Sequence, residues 1–234
     1  MESPKQNHSF QADGSLRDLQ KFVEAVYGLP NDRNYSVWDL LTQHQRFSMR
    51  ALRGIRKGDS QKLKQNLLIS LSWLMSMANR LHIDLDDEVW ERFPYLCSYC
   101  GKCPCVCRAT KPEKRLKVDH NPELRPKTLA SVQKMFATIY QADGRNLADA
   151  GVHLAEEVGE VGEAIHNYLG EHKPEQFEQI SLEMADYLSC TFGVANSAHF
   201  DVATELATTF TNNCHVCHKA PCECGFSFVA NIKT

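Results

Sequence analysis

The sequence contains itself twice. ANRLHIDLDDEVWERFPYLCSYCGKCPCVC (78–107) aligns with ANSAHFDVATELATTFTNNCHVCHKAPCEC (195–224) at a constant offset of 117. Ala78, Asn79, His82, Asp84, Glu88, Phe93, Cys97, Cys100, Lys102, Pro104, Cys105 and Cys107 each meet their own kind. Upstream, QKFVEAVY (20–27) resembles QKMFATIY (133–140) at an offset of 113, so a few residues were gained or lost in between. A duplication of this extent divides the 234 residues into two copies that must share one architecture.

Apolar residues in each copy recur at three and four. Leu63, Leu67, Leu71, Leu74, Ala78 and Leu81 form one stripe, and Leu182, Ala185, Leu188, Phe192 and Ala195 form its counterpart. This is the spacing of an amphipathic helix. Few segments alternate at period two, and the predicted class is all-α. Helices are expected at 16–28, 36–54, 60–82 and 85–93, then at 127–141, 147–169, 175–198 and 202–210. Asp84 and Asp201 are good caps for the short helix after each. The expected layout is a loosely ordered tail at 1–14, a first repeat at 15–107, a linker at 108–126, a second repeat at 127–226 and a tail at 227–234. The linker, RATKPEKRLKVDHNPELRP, is charged and proline-containing.

No apolar run approaches the ~20 residues needed to span a bilayer. The opening MESPKQNHSFQADGS is polar and lacks the apolar centre of a secretory signal. A soluble, cytoplasmic protein without a membrane partner is therefore expected. Charge divides the halves: 1–117 carry 19 Lys and Arg against 13 Asp and Glu, and 118–234 carry 7 against 16. Such opposition favours docking of the halves and gives each a different chemistry.

Eight of the ten cysteines repeat with the duplication. Cys97, Cys100, Cys105 and Cys107 give CxxC followed after four residues by CxC, and Cys214, Cys217, Cys222 and Cys224 repeat that spacing. Four thiolates delivered by two tight turns suit tetrahedral Zn2+, and a site with four thiolates has no open position for water, so both knuckles (97–107 and 214–224) are expected to be structural. The rival is a pair of disulfides in each, which a cytosolic setting disfavours. His215 and His218 could replace a thiolate, but Ser98 and Gly101 occupy their places in the first copy. Cys103 and Cys190 have no counterpart, Ala220 and Trp73 standing there instead.

The second copy also carries an unusual set of acids. Glu157 and Glu160 in AEEVGEVGE are i, i+3 neighbours on a helix, Glu156 shares nearly that face, and Glu183 and Asp186 repeat the spacing on the next helix. If the two helices are antiparallel, these oxygens converge, and a hard divalent cation, Mg2+ or Mn2+, removes their mutual repulsion. The alternative is a solvated acidic face, but Leu154, Val158, Val161 and Ile165 interrupt it, which marks a packed helix. Gly159 and Gly162 lower helix propensity by ~1 kcal/mol each, which suits a close approach of a helix or a phosphate.

At these residues the chain resembles the MazG-like, all-α nucleoside triphosphate pyrophosphohydrolases. Their signature, EExxE then ExxD, stands here as Glu156-Glu157-Val158-Gly159-Glu160 and, after twenty-two residues, Glu183-Met184-Ala185-Asp186. The segment that often follows it, ANRLGIDLxxAL, is similar to ANRLHIDLDDEV in the first copy and more loosely to ANSAHFDVATEL in the second. The resemblance implies a four-helix-bundle type core, magnesium dependence, and hydrolysis of a (d)NTP to its monophosphate and pyrophosphate. It assigns Glu157, Glu160, Glu183 and Asp186 to the metal and Glu156 to the attacking water, with Glu160 a second candidate base. Asn212 or Asn213 would contact phosphate, although no matching lysine is present.

At offset 117 the five acids become Asp39, Leu40, Gln43, Asn66 and Ile69, a set unable to hold the same cation. The first repeat therefore reads as a non-catalytic partner in an intramolecular pseudo-dimer, with homodimerisation of the whole chain left open. Arg46, Arg50, Arg53 and Lys57 follow i, i+4, i+7, i+11 as one basic stripe, suited either to a triphosphate or to solvent and ion pairs. Trp38 and Trp73 are candidates for base stacking or for the core. The rival function is a zinc-containing nucleic-acid-binding adaptor, or a nucleotide sensor, without hydrolysis.

Overall fold

The computed structural model describes residues 7–116, 118–141 and 146–232. Among them there is no strand, and no helix is long and apolar enough to cross a membrane. The described residues form ten α-helices, α1 (Leu16–Val23), α2 (Leu29–Asn34), α3 (Val37–Lys57), α4 (Ser60–Leu81), α5 (Leu85–Arg92), α6 (Leu129–Ile139), α7 (Leu147–Glu171), α8 (Pro174–Ser197), α9 (Val202–Thr209) and α10 (Phe226–Asn231), and a short 3-10 turn at Pro122–Leu124. A single π turn, Glu24–Gly28, joins α1 to α2.

Local chemistry sets the helix ends. Ser15 with Asp18, and Ser36 with Asp39, form reciprocal capping boxes at α1 and α3. Thr128 and Ser131 do the same at α6, and the side chains of Asp59 and Asn146 cap α4 and α7. α3 stops at Gly58, φ 64°, which lets the chain reverse into α4. Where the two helices then approach, a Cβ on Gly54 would lie 2.6 Å from the backbone nitrogen of Leu63, so glycine is required there. His82 (φ 57°) and His199 (φ 56°), partners across the duplication, take the same left-handed conformation at the ends of α4 and α8.

The helices form two compact units, and these do not follow the sequence copies. One is Met1–Asp84 with Ala203–Thr234; the other is Leu85–Val202. The first unit is built on the α3–α4 hairpin, with α1 against α4. Lys64 on α4 pairs with Glu205 on α9 at 2.5 Å, and Phe22 meets Phe210 at 5.3 Å. Its core is Leu16, Leu19, Val26, Leu40, Leu63, Leu67, Leu71 and Leu74, all essentially inaccessible to solvent. The second unit is built on the α7–α8 hairpin, with α5 and α6 against α8. Phe93 lies edge-on to Phe136 at 5.1 Å, and Phe136 stacks on Phe192 at 5.6 Å. Each unit thus contains the first three long segments of one copy and the terminal helix and knuckle of the other. The expected boundaries 15–107 and 127–226 group these residues differently. The physical reason is that α5 and α9 carry apolar residues at the same repeat positions, Leu85 with Val202, Val89 with Leu206 and Trp90 with Ala207, so sequence pattern alone does not say which hairpin each covers.

Two expected tails are structured where they are described. Phe10 is buried, its N–H donates to the Phe210 carbonyl, and the His8 N–H donates to Asn213 Oδ1, all within the first unit. Residues 1–6 of the expected N-terminal tail lie outside the described residues, as do 233–234 of the C-terminal one. Between Phe226 and Asn231 the chain is helical.

Candidate functional site

The eight repeated cysteines gather as two clusters of four. In each, the sulfurs lie within 4.8 Å of one another, and all ten cysteines are free thiols. Cys97 and Cys107 are 3.7 Å apart, Cys214 and Cys224 3.9 Å, and Cys217 and Cys222 3.8 Å. Tetrahedral zinc with bonds of ~2.3 Å spaces its sulfurs by ~3.8 Å. Backbone N–H groups of Tyr99 and Cys107 donate to Cys97 and Cys105, and those of Val216 and Cys224 donate to Cys214 and Cys222. These donors stabilise thiolate charge. A hydrogen bond from Cys222 holds Cys214 down at about 4, while the same bond, then burial, pushes Cys222 up. The protons are thus unequally shared in a cluster too tight for four bare thiolates. Both clusters could hold zinc ions. His215 instead faces the Tyr27 hydroxyl at 3.3 Å, and His218 is exposed.

Each knuckle is seated in its unit by one repeated contact. The Cys105 N–H donates to the Ile139 carbonyl at 2.7 Å, and the Cys222 N–H donates to the Val26 carbonyl at 2.7 Å. The Tyr140 hydroxyl donates to Cys97 Sγ at 3.8 Å.

In the second unit, Glu157, Glu160 and Glu183 place one carboxylate oxygen each within 4.8 Å of the others. Glu157 and Glu160 stand on successive turns of α7, and the hairpin brings α8 alongside. Glu183 is 7% exposed. Its Oε2 and that of Glu157 are buried without a hydrogen-bond partner, while Gln179 Nε2 donates to Glu183 Oε1. Burial, then repulsion from Asp186, Glu160 and Glu183, pushes Glu157 up to about 8, with Arg92 acting in the opposite sense. Burial, then repulsion from Asp186, pushes Glu183 up to about 7. Two orphaned buried oxygens in an all-carboxylate set fit a hard divalent cation.

Asp186 is engaged differently from the metal role that the resemblance implies. Arg92, on α5, grips it in a fork, Nε to Oδ1 at 3.0 Å and Nη2 to Oδ2 at 2.5 Å, and Arg115 lies 3.6 Å away. Burial raises the Asp186 carboxyl and Arg92 opposes it. Sequence reasoning did not find Arg92, although a signal existed. At offset 117 Arg92 becomes Thr209 as Asp186 becomes Ile69, so both members of the pair changed together.

A cleft of about 750 Å³ opens in this unit, lined by Glu156, Glu157 and Asp186 together with Arg108, Lys111 and Arg115. Glu157 therefore belongs both to the cluster and to the cleft, and Glu156 is exposed. Gly159 faces open space, with nothing within 4 Å of a Cβ placed there, so no helix makes the close approach expected of it.

The residues expected to bind phosphate are occupied elsewhere, in the first unit. Arg46 donates to the carbonyls of Val229 and Ile232 at 3.0 and 2.8 Å, and Arg50 to that of Ile232 at 2.9 Å. They hold the carbonyls at the end of α10, that of Val229 and that of the cap residue Ile232. Asn213 is buried at φ 57°, accepts from the His8 N–H and donates to the His218 carbonyl at 3.4 Å, which fixes the knuckle rather than a ligand. Trp38 is exposed, and Trp73 packs edge-on to Tyr35 at 5.5 Å. Counting back from the caps Gly58 and His172 sets Gln43 and Arg46 in the places of Glu157 and Glu160, a register three residues from the one the knuckles suggest. Arg46 donates to Gln43 Oε1 at 3.0 Å. The first unit thus turns a cation where the second turns an acid.

A pH dependence follows. Glu157 and Glu183 hold protons more tightly folded than unfolded, where the ordinary value is 4.5. The stability they contribute is complete below the ordinary value and is lost as pH rises through about 7 and 8. In buffer without added divalent cations the melting temperature is expected to fall from about pH 5 to about pH 9, and magnesium to raise it more at the upper end. Scanning calorimetry checks this; a flat profile counts against a coupled acid cluster.

Comparison of the chain with protein-family models, curated proteins and solved structures finds no match.

Proposed function

We propose that the protein is a Mg2+- or Mn2+-dependent nucleoside triphosphate pyrophosphohydrolase that converts a (d)NTP to its monophosphate and pyrophosphate. The observation that carries this reading is the convergence of Glu157, Glu160 and Glu183 within 4.8 Å, with orphaned buried oxygens on Glu157 and Glu183. The order of acids that resembles the MazG-like signature names the reaction. Glu157, Glu160 and Glu183 would hold the cation, which when bound neutralises phosphate charge and acidifies water. Glu156, exposed in the cleft beside Glu157, is the group to accept the proton of a water attacking the α-phosphate, with Glu160 the alternative. Arg92 fixes Asp186 beside them, and each Asp186 oxygen keeps a lone pair with which it would join the ligand set.

Gln43 and Arg46 in the places of Glu157 and Glu160, with Asn66 and Ile69 in those of Glu183 and Asp186, support the role of the first repeat as a non-catalytic partner, in a pseudo-dimer built by duplication. With magnesium and a panel of nucleotides, the expected products are monophosphate and pyrophosphate, with turnover lost in Glu160→Gln. Release of orthophosphate, or turnover indifferent to Glu160→Gln, sinks the reading. A second reading, a zinc-containing adaptor that binds nucleic acid or senses a nucleotide without cleaving it, draws on the basic residues around Tyr99 at the first knuckle. It predicts salt-sensitive binding of RNA or DNA and no hydrolysis.

A further inference from the structure

The cleft of the second unit contains cations to which the reaction above assigns no task. Arg108, Lys111 and Arg115 all line it, and all come from the segment between the copies whose composition marks a linker. That segment is fastened. The N–H groups of Ala109 and Thr110 donate to the Val106 carbonyl at 3.0 and 2.9 Å, and the Leu116 N–H donates to the Tyr99 carbonyl at 3.1 Å. Beyond it, Arg125 pairs with Asp86 and Asp87 at 2.6 and 2.5 Å. Lys111 Nζ lies 4.6 Å from the Tyr99 ring centroid, and the Arg115 guanidinium carbon 5.9 Å. One aromatic ring therefore gathers two of the three cations at the cleft.

The duplication supplies an internal control. The corresponding hollow of the first unit measures only about 60 Å³. Val216 stands in it for Tyr99, Trp73 for Cys190 and Ile69 for Asp186. Phe228, Val229 and Ile232, from the segment after the second knuckle, line it as well. The stretch that follows a knuckle is thus an apolar plug in one unit, FSFVANI, and a cationic wall in the other, RATKPEKR. The plugged hollow has lost its acids, and the open cleft has kept them.

We infer that residues 108–115 are the anion-binding arm of this cleft: Arg108, Lys111 and Arg115 take the phosphate chain of a nucleotide, and Tyr99 is the positioning residue for Lys111 and Arg115. The inference rests on the nucleotide reading for its ligand, but it concerns binding and does not depend on cleavage. A phosphate chain needs several charge-assisted donors beyond a cation, and guanidinium and ammonium groups supply them. It also accounts for the missing lysine after the last helix: the cations arrive from the other copy's knuckle.

The test uses the full zinc-loaded chain with inorganic pyrophosphate, the expected product, titrated calorimetrically in magnesium buffer. Wild-type protein is expected to bind in a salt-sensitive manner, Arg108→Ala and Lys111→Ala each to weaken binding by about tenfold, and Lys111→Arg to restore it. Tyr99→Leu should weaken binding similarly, and Tyr99→Phe, which retains the ring, should not. Zinc content and circular dichroism identify any variant that misfolds. Unchanged affinity in the Arg108→Ala/Lys111→Ala double variant, or no binding by the wild type, overturns the arm even if nucleotides are hydrolysed. Loss of pyrophosphate binding in that variant, with no hydrolysis of any nucleotide by the wild type, leaves the arm standing and removes the enzymatic reading.

Discussion

Glu183→Gln is expected to lower magnesium-dependent turnover by on the order of 10²–10³-fold and, in the same protein, to raise the melting temperature of the cation-free state at about pH 8. The two effects share one cause. Glu183 is 7% exposed, and its Oε2 is buried without a partner among three other acids. Glutamine keeps the shape, and its carbonyl oxygen can still accept from Gln179 Nε2. Its new N–H group can donate to the Glu157 or Glu160 carboxylate, which converts repulsion into a hydrogen bond. Burial and repulsion raise the carboxyl to about 7, so at pH 8 the wild type holds an ionised group that the variant lacks. Stability gained together with activity lost is the mark of a site kept under strain for function. Calorimetry and product assays on one preparation check both. A variant that melts lower, or that turns over normally, shows that Glu183 is only a structural acid.

The helices were legible because their cause is local. The stripe from Leu63 to Leu81 predicts 60–82, and α4 is Ser60–Leu81; 175–198 is predicted for α8, which is Pro174–Ser197. The cysteine clusters were legible for the same reason, since each closes within eleven residues of chain, Cys97–Cys107 and Cys214–Cys224. Convergence of Glu157 and Glu160 needs only one helix, and Glu183 needs only the adjoining hairpin arm. Pairing between like segments was illegible. Phe93 and Phe210 are identical in type and in repeat position, so nothing in the periodicity reveals that Phe93 meets Phe136 or that Phe210 meets Phe22. Arg92 and Asp186, 94 residues apart, join only because of that exchange. Arg46 reads as a phosphate grip by charge and spacing, yet besides Gln43 it holds the backbone carbonyls of Val229 and Ile232, which carry no sequence signal.

The exchange makes the two knuckles unequal, and Cys100→Ser and Cys217→Ser are expected to expose the difference. Each should lose one zinc per chain, because three sulfurs and a hydroxyl make a poor tetrahedral set. Structural zinc is worth roughly 10–16 kcal/mol in small zinc-finger peptides, so each knuckle should open without it. Their consequences then diverge. Cys97, Tyr99, Cys105 and Cys107 line the acid-bearing cleft, and the first knuckle is fixed to the end of α6 through Cys105 with Ile139 and through Cys97 with Tyr140. Opening it releases Tyr99 and the cations that follow, so Cys100→Ser should cost pyrophosphate affinity and turnover at least about tenfold. The second knuckle is fixed to Val26 in the other unit, so Cys217→Ser should lower the melting temperature while turnover stays within about twofold. Grouping by sequence copy predicts the reverse, because it assigns residues 214–224 to the catalytic repeat. Zinc quantitation, thermal melts and turnover on both variants separate the two groupings. Activity lost with Cys217 and kept without Cys100 would return each knuckle to its own copy and dissolve the cleft as described.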